Sequence, residues 1–166
     1  TADVVVQNFR PGVMKRLGLD YATLAATNPR LVYASISGFG QTGPMAGAPA
    51  YAPVIHAASG YEVAYTQYQR GSDRPANNGI FIADVMGASY AFGAIQLALY
   101  EREKSDKGQH IDVSLMDSVL GMLIYEIQAA QFPPERPRQV YDPVRASDGY
   151  VMVAAVTQRN LEVLFD

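Results

Sequence analysis

The chain has 166 residues, 49% of them apolar and 17% charged, with a net charge of −3 and no cysteine. That length suits one domain with a real core; the charge excludes a broad basic face for nucleic acid; and the lack of cysteine excludes disulfides and thiolate metal sites and fits a reducing, cytoplasmic setting. The longest apolar run, Val85 to Tyr100, falls short of the ~20 residues of a membrane span and is rich in Gly and Ala, so no membrane partner is expected.

In chain order, Val4 to Gln7 reads as a buried strand of the parallel kind, which needs neighbours on both sides. Pro11 to Leu17 follows as a short helix with Gly18 at its end, and Asp20 is placed to cap a second helix that Asn28-Pro29 terminates. Leu31 to Ser37 is a second strand, so the rhythm is that of a parallel α/β unit. Gly38 to Pro44 is a loop. Gly38, Gly40 and Gly43 read as turn glycines, because the spacing and the Lys of a phosphate loop are missing, with close approach to a ligand as the alternative. A weak helix covers Tyr51 to Ser59, and Tyr65 to Asn78 is a polar, exposed excursion. Tyr61, Tyr65 and Tyr68 read as part of that surface loop, with the lining of an acyl or acceptor pocket as the alternative.

Ile80 to Ala83 then delivers Asp84 to the start of a helix from about Val85 to Glu103. That helix is apolar nearly all round and is expected to be buried, with Gly87, Ala88, Ala91, Gly93 and Ala94 allowing close backbone approach. Lys107-Gly108 turns into a strand, His110 to Val113. Ser114 caps the next helix, with Asp117 as its capping-box partner, and that helix runs to about Gln131. The region 133–143 holds four prolines and reads as a linker or irregular loop; Gly149 to Ala155 restarts β structure, and Thr157 to Asp166 begins a helix. The expected division is a catalytic α/β domain over 1–132, a proline-rich linker over 133–148 and the start of a smaller domain over 149–166. A strand at once after Thr1 and a helix broken off at Asp166 give the expectation of an internal piece of a longer protein.

The residues themselves single out a few places for chemistry. Asp84 is either the cap of the helix it precedes or a nucleophile: a carboxylate titrating near ~3.9 is ionised at neutral pH and needs no general base. Asn8, Phe9, Arg10 and Arg16 follow a strand end, where open α/β sheets place ligand crevices; guanidinium groups suit phosphates and an aromatic packs on a base. The competing reading is a plain turn with Arg16 on a solvated face. Neither His56 nor His110 has a clustered partner, so both read as structural and no metal site is inferred. Asp112 and Asp117 also read as structural.

Taken together, Ala2 to Gly12, Asn28 to Gly40, Ile82-Ala83-Asp84 and Gly108 to Asp117 resemble the class III coenzyme A transferases, the group of formyl-CoA and carnitine-CoA transferases. The resemblance covers nearly the whole chain and rests on the order and spacing of the four stretches. It implies a Rossmann-like parallel sheet, the large-domain portion of an interlocked-dimer fold. The implied activity is CoA transfer from an acyl-CoA to a carboxylic acid, with CoA as substrate and no tightly bound cofactor. Asp84 takes the place of the catalytic aspartate, which attacks the thioester to give an anhydride and then an aspartyl-CoA thioester. Asn8, Phe9 and Arg16 take the places of CoA contacts, with Arg10 at a variable position. Tyr51 takes the place of an aromatic that touches ligand. In the related α-methylacyl-CoA racemases a His stands at the Tyr51 position. Tyrosine, with a pKa near ~10, is a poor base at neutral pH, which favours transfer over racemisation. A racemase or epimerase on the same scaffold and a non-catalytic CoA-binding paralogue are the alternatives.

Overall fold

A computed structural model describes residues 2–69, 71–76, 78–135, 143–153 and 157–165. The expectations for Pro137, for Ala154-Ala155 and for Asp166 lie outside the described residues. The chain forms two compact units, 1–128 and 129–166.

The first unit is built on a parallel sheet of three strands, β1 (Val4–Gln7), β2 (Val32–Ser37) and β3 (His110–Ser114), in the order β1-β2-β3. Val4 pairs with Val32 and Tyr33 with His110. The central strand is covered on both faces, as its unbroken run of β-formers requires: Val32, Tyr33, Ala34 and Ser35 are all buried. On one face Tyr33 donates its hydroxyl to the Leu19 carbonyl at 3.0 Å, and Ser35 Oγ lies 2.9 Å from His110 Nε2. Tyr21 stacks on the His110 ring at 5.3 Å. His110 is thus a sheet-face residue, in line with its structural reading.

Two short helices, α1 (Val13–Arg16) and α2 (Tyr21–Thr27), link β1 to β2. Asp20 caps α2, accepting the Thr23 N–H at 3.2 Å and the Thr23 hydroxyl at 2.9 Å. After β2 come α3 (Ala52–Ser59) and α4 (Tyr61–Thr66). The second of these corrects the sequence reading. Gly60, at φ +77°, ends α3 and lets the chain turn straight into a new helix, so Tyr61 and Ala64 are buried where a surface loop was expected.

The long helix α5 (Ile82–Ser105, 24 residues) carries a seam of small residues, Ala83, Gly87, Ala91 and Ala98, packed against the sheet and its neighbours. At Gly87 the approach is so close that a Cβ would collide with Leu115 and touch Ile36. The expectation of burial all round fails. Val85, Phe92 at 68%, Leu97 at 71% and Tyr100 are exposed, because the small residues select one face for the sheet and leave the bulky ones opposite. The helix also outruns the apolar stretch seen in the sequence, and it is long and apolar enough to cross a bilayer. Its seam of small residues packs on the parallel sheet, while 22% of that apolar window is buried.

The expected single helix after β3 is two, α6 (Leu115–Met122) and α7 (Ile124–Gln131). The break is at Leu123, which leaves helical geometry and buries its side chain beside Val119 and Ile55 in one cluster. Ser114 caps α6 as expected, accepting the Asp117 N–H at 3.1 Å. In the second unit β4 (Pro143–Arg145) pairs antiparallel with β5 (Tyr150–Met152), and α8 (Gln158–Phe165) follows. The strand β4 falls within the stretch read as linker. Its pairing is closed by Ala146 N–H donating to Gly149 O at 2.9 Å.

Candidate functional site

Three parallel strands end at one edge, and that edge is where the chemistry-bearing residues collect. The orientation of α5 places its start there. Gly87 packs on Ile36, near the end of β2, and on Leu115, just past β3, so Asp84 lies about one turn beyond the sheet. At the other end of α5, Arg102 reaches Asp3 Oδ1 at 3.2 Å and Arg30 O at 3.1 Å, beside the strands' starts.

Asp84 is the third residue of α5 and not its cap. Phe81 occupies the cap position and makes no side-chain cap. The first turn is satisfied without the carboxylate. Ile82 N–H donates to Ile80 O at 2.9 Å, and Asp84 and Val85 donate to Phe81 O at 3.1 and 3.2 Å. Ala83 N–H donates to His56 Nε2 at 3.1 Å. The capping role weighed for Asp84 is therefore taken by others. Its carboxylate is exposed and has no hydrogen-bond partner among the described residues. It sits where the helix's positive end favours the ionised form.

His56 is 0% exposed, so it is structural in the sense expected, but its place against Ala83 was not legible in the sequence. The two stand 27 positions apart, and the stretch between them carries no pattern that would announce the contact. Its Nδ1 faces Glu62 Oε1 at 3.4 Å, and its ring lies 5.0 Å from that of Tyr61. Asn78 ties the same cluster to the chain entering α5, donating to the Tyr61 hydroxyl at 2.7 Å and accepting Ile80 N–H at 3.0 Å.

Asn8, Phe9 and Arg10 leave the end of β1. Phe9 N–H donates to Gln7 Oε1 at 2.9 Å, which fixes the exit while the ring stays exposed. Arg16 lies along Gly12, its guanidinium 3.7 Å from where a Cβ would stand. Arg10 borders a cavity of about 190 Å³ with Lys15, Tyr21 and Gln41. The glycine loop after β2 is a turn tied down to the sheet. Gln41 N–H donates to Asp112 Oδ2 at 2.8 Å, and Gln41 Nε2 donates to Ser37 Oγ at 3.2 Å. Ala50 packs on Gly38, which brings Tyr51 to the same edge; Tyr51 is 72% exposed at the start of α3. A cavity of about 480 Å³ opens between α4 and the polar excursion, bordered by Val63, Thr66, Gln67, Asp73 and Arg74. Among the described residues no three His, Asp or Glu are grouped to hold a metal.

Two groups behind this edge have displaced pKa values. Hydrogen bonds from the Thr23 hydroxyl and backbone hold Asp20 below the usual carboxylate value, and burial, then the charge of Asp20, pushes Tyr33 up.

The family model for CoA-transferase family III matches residues 1–166. Acetyl-CoA:oxalate CoA-transferase of Acetobacter aceti is 45% identical over 139 residues, covering 84% of this chain and 35% of that protein. Succinate–glutarate CoA-transferase of Agrobacterium fabrum is 36% identical over 163 residues, 93% of this chain and 40% of that one. Of solved structures, a CAIB/BAIF family protein from Brucella suis matches with a TM-score of 0.77 at 36% identity, over 93% of this chain and 42% of that one. A hypothetical protein from Mycobacterium tuberculosis matches with a TM-score of 0.83 at 26% identity, over 99% and 45%. The chain spans less than half the length of each.

Proposed function

This chain belongs to CoA-transferase family III, and from that membership we propose that it carries the nucleophile of an enzyme moving coenzyme A from an acyl-CoA to a carboxylic acid. The observation that carries the reading is Asp84: an unpartnered carboxylate in the first turn of a long helix, at the strand-end edge of a parallel sheet.

The Asp84 carboxylate attacks the thioester carbonyl, forming a mixed anhydride and expelling CoA thiolate. The thiolate attacks the Asp84 carbonyl, forming an aspartyl-CoA thioester and releasing the donor acid. The acceptor carboxylate attacks that thioester, giving a second anhydride and thiolate. Thiolate then takes the acceptor's acyl carbon, releasing new acyl-CoA and free Asp84. Bonds of similar energy are exchanged, so no ATP is consumed. The open end of α5 supplies positive potential for each oxyanion. Asn8, Phe9, Arg10 and Arg16 bind CoA, the guanidinium groups on phosphate and Phe9 on the base. Tyr51 bounds the reacting end. The excursion 65–78, with its cavity beside α4, discriminates between acids. The partner is a second copy of the protein in a homodimer, which supplies cover for apolar residues such as Phe92 and Leu97.

The test uses the intact protein with mixed acyl-CoAs and acceptor acids, quenched with hydroxylamine and mapped by mass spectrometry. A hydroxamate on Asp84 is expected. Turnover without that mark overturns the nucleophile. Solvent deuterium entering the α-carbon, with no transfer, identifies a racemase instead.

A further inference from the structure

We infer that His56 is a positioning residue for Asp84, an inference that rests on Asp84 being the nucleophile. The first turn of α5 has four N–H groups beyond reach of its own helix. Ile82 N–H is satisfied by Ile80 O and Asp84 N–H by Phe81 O, while Val85 N–H makes the first bond of the helix itself. Of the Ile82, Ala83 and Asp84 donors, that of Ala83 is the one tied to a distant element, by the 3.1 Å bond to His56 Nε2 on α3. Ala83 and His56 are both 0% exposed, so no water competes for that bond.

The bond fixes the chemistry of the ring. Nε2 must offer a lone pair, so the ring is neutral and its proton is on Nδ1. Nδ1 points at Glu62 Oε1 across 3.4 Å, and neither Nδ1 nor Glu62 Oε2 has a hydrogen-bond partner among the described residues. Glu62 therefore selects the tautomer that accepts from Ala83, through a contact too long to be a good hydrogen bond. A site needed only for packing would hold an apolar side chain; an imidazole and a carboxylate with open valences are costly there. The imidazole's one full hydrogen bond goes to the residue preceding the nucleophile. Asn78, through the same cluster, holds the chain entering that turn, accepting Ile80 N–H at 3.0 Å while bound to Tyr61. Asp84 is thus set from α3 and α4 and not by its own side chain.

The test compares three variants in the intact protein. His56→Gln keeps an acceptor near the Nε2 position. His56→Asn has an amide too short to reach Ala83. His56→Leu fills the volume without an acceptor. Hydroxamate formation on wild-type Asp84 is read first, then kcat, KM and amide exchange at Ala83. We expect the Asn and Leu variants to lose kcat about 100-fold, as a displacement of ~1 Å at a reacting group does. KM for acyl-CoA stays within about threefold, and Ala83 loses its exchange protection while β2 keeps its own. The Gln variant should return to within about tenfold of wild type. Asp84 labelled in wild type, with Gln and Asn variants turning over alike, overturns the positioning role alone, and that comparison stands even if the Leu variant does not fold. Wild-type turnover without label on Asp84 overturns the nucleophile and this inference together.

Discussion

Asp84 is separated from its surroundings in a way that makes a single atom exchange informative. Asp84→Asn keeps the shape and removes the attacking charge. We expect it to lower turnover by at least about 10³-fold, by steady-state rate, with an unchanged circular dichroism spectrum. Tyr51 is exposed and caps nothing with its side chain. Tyr51→Phe should leave the unfolding free energy from urea denaturation within about 0.5 kcal/mol of wild type, so any rise in KM reports a ligand contact. Tyr33 gives a third expectation. Its folded pKa is raised above the ordinary 10.0 by burial and then by Asp20, so folding favours its neutral form. That contribution is whole below about pH 10 and is lost as pH rises through the folded value. Thermal melts of wild type should fall on that alkaline limb, and Tyr33→Phe should flatten the fall.

The elements divide by how local their causes are. Asp20 and Ser114 cap the helices that the sequence assigned to them, and β1, β2 and β3 fall where runs of β-formers stand, because caps and strand runs are written within a few residues. What escaped was set at a distance. The helix α4 owes its place to Gly60 and to a pocket for Tyr61, and the break at Leu123 to a core position that periodicity alone does not show. At the site, Asp84 was singled out through its neighbours and the family resemblance, and the structure puts it in the first turn of α5. The exclusion of a capping role depended on Phe81 and His56, and the latter contact spans the fold. Close approach can be tested at this scale. A Cβ on Gly108 would collide with the Leu31 carbonyl, a backbone atom with nowhere to go. Gly108→Ala should cost about 3 kcal/mol or more by urea denaturation, whereas Ser114→Ala should cost about 1 kcal/mol.

Across the whole molecule, α5 is a rod about 36 Å long at ~1.5 Å per residue, with Arg102 clamped at one end and Asp84 free at the other. It places Asp84, the proposed nucleophile, by length, far from the strands' starts where it is anchored. Its composition is inverted from the usual surface helix: Ala83, Gly87, Ala91 and Ala98 face inward, Phe92, Leu97 and Tyr100 outward. Apolar surface of that size left in water weakens the fold, and covering it restores what was lost. With a second copy as the proposed cover, folding and assembly belong to one equilibrium, governed by mass action. The melting temperature of the intact protein should climb as its concentration is raised, and a value independent of concentration would mean that the stripe is covered within a single chain. The helix that carries the proposed nucleophile would thereby make catalytic competence a property of the population as well as of the molecule.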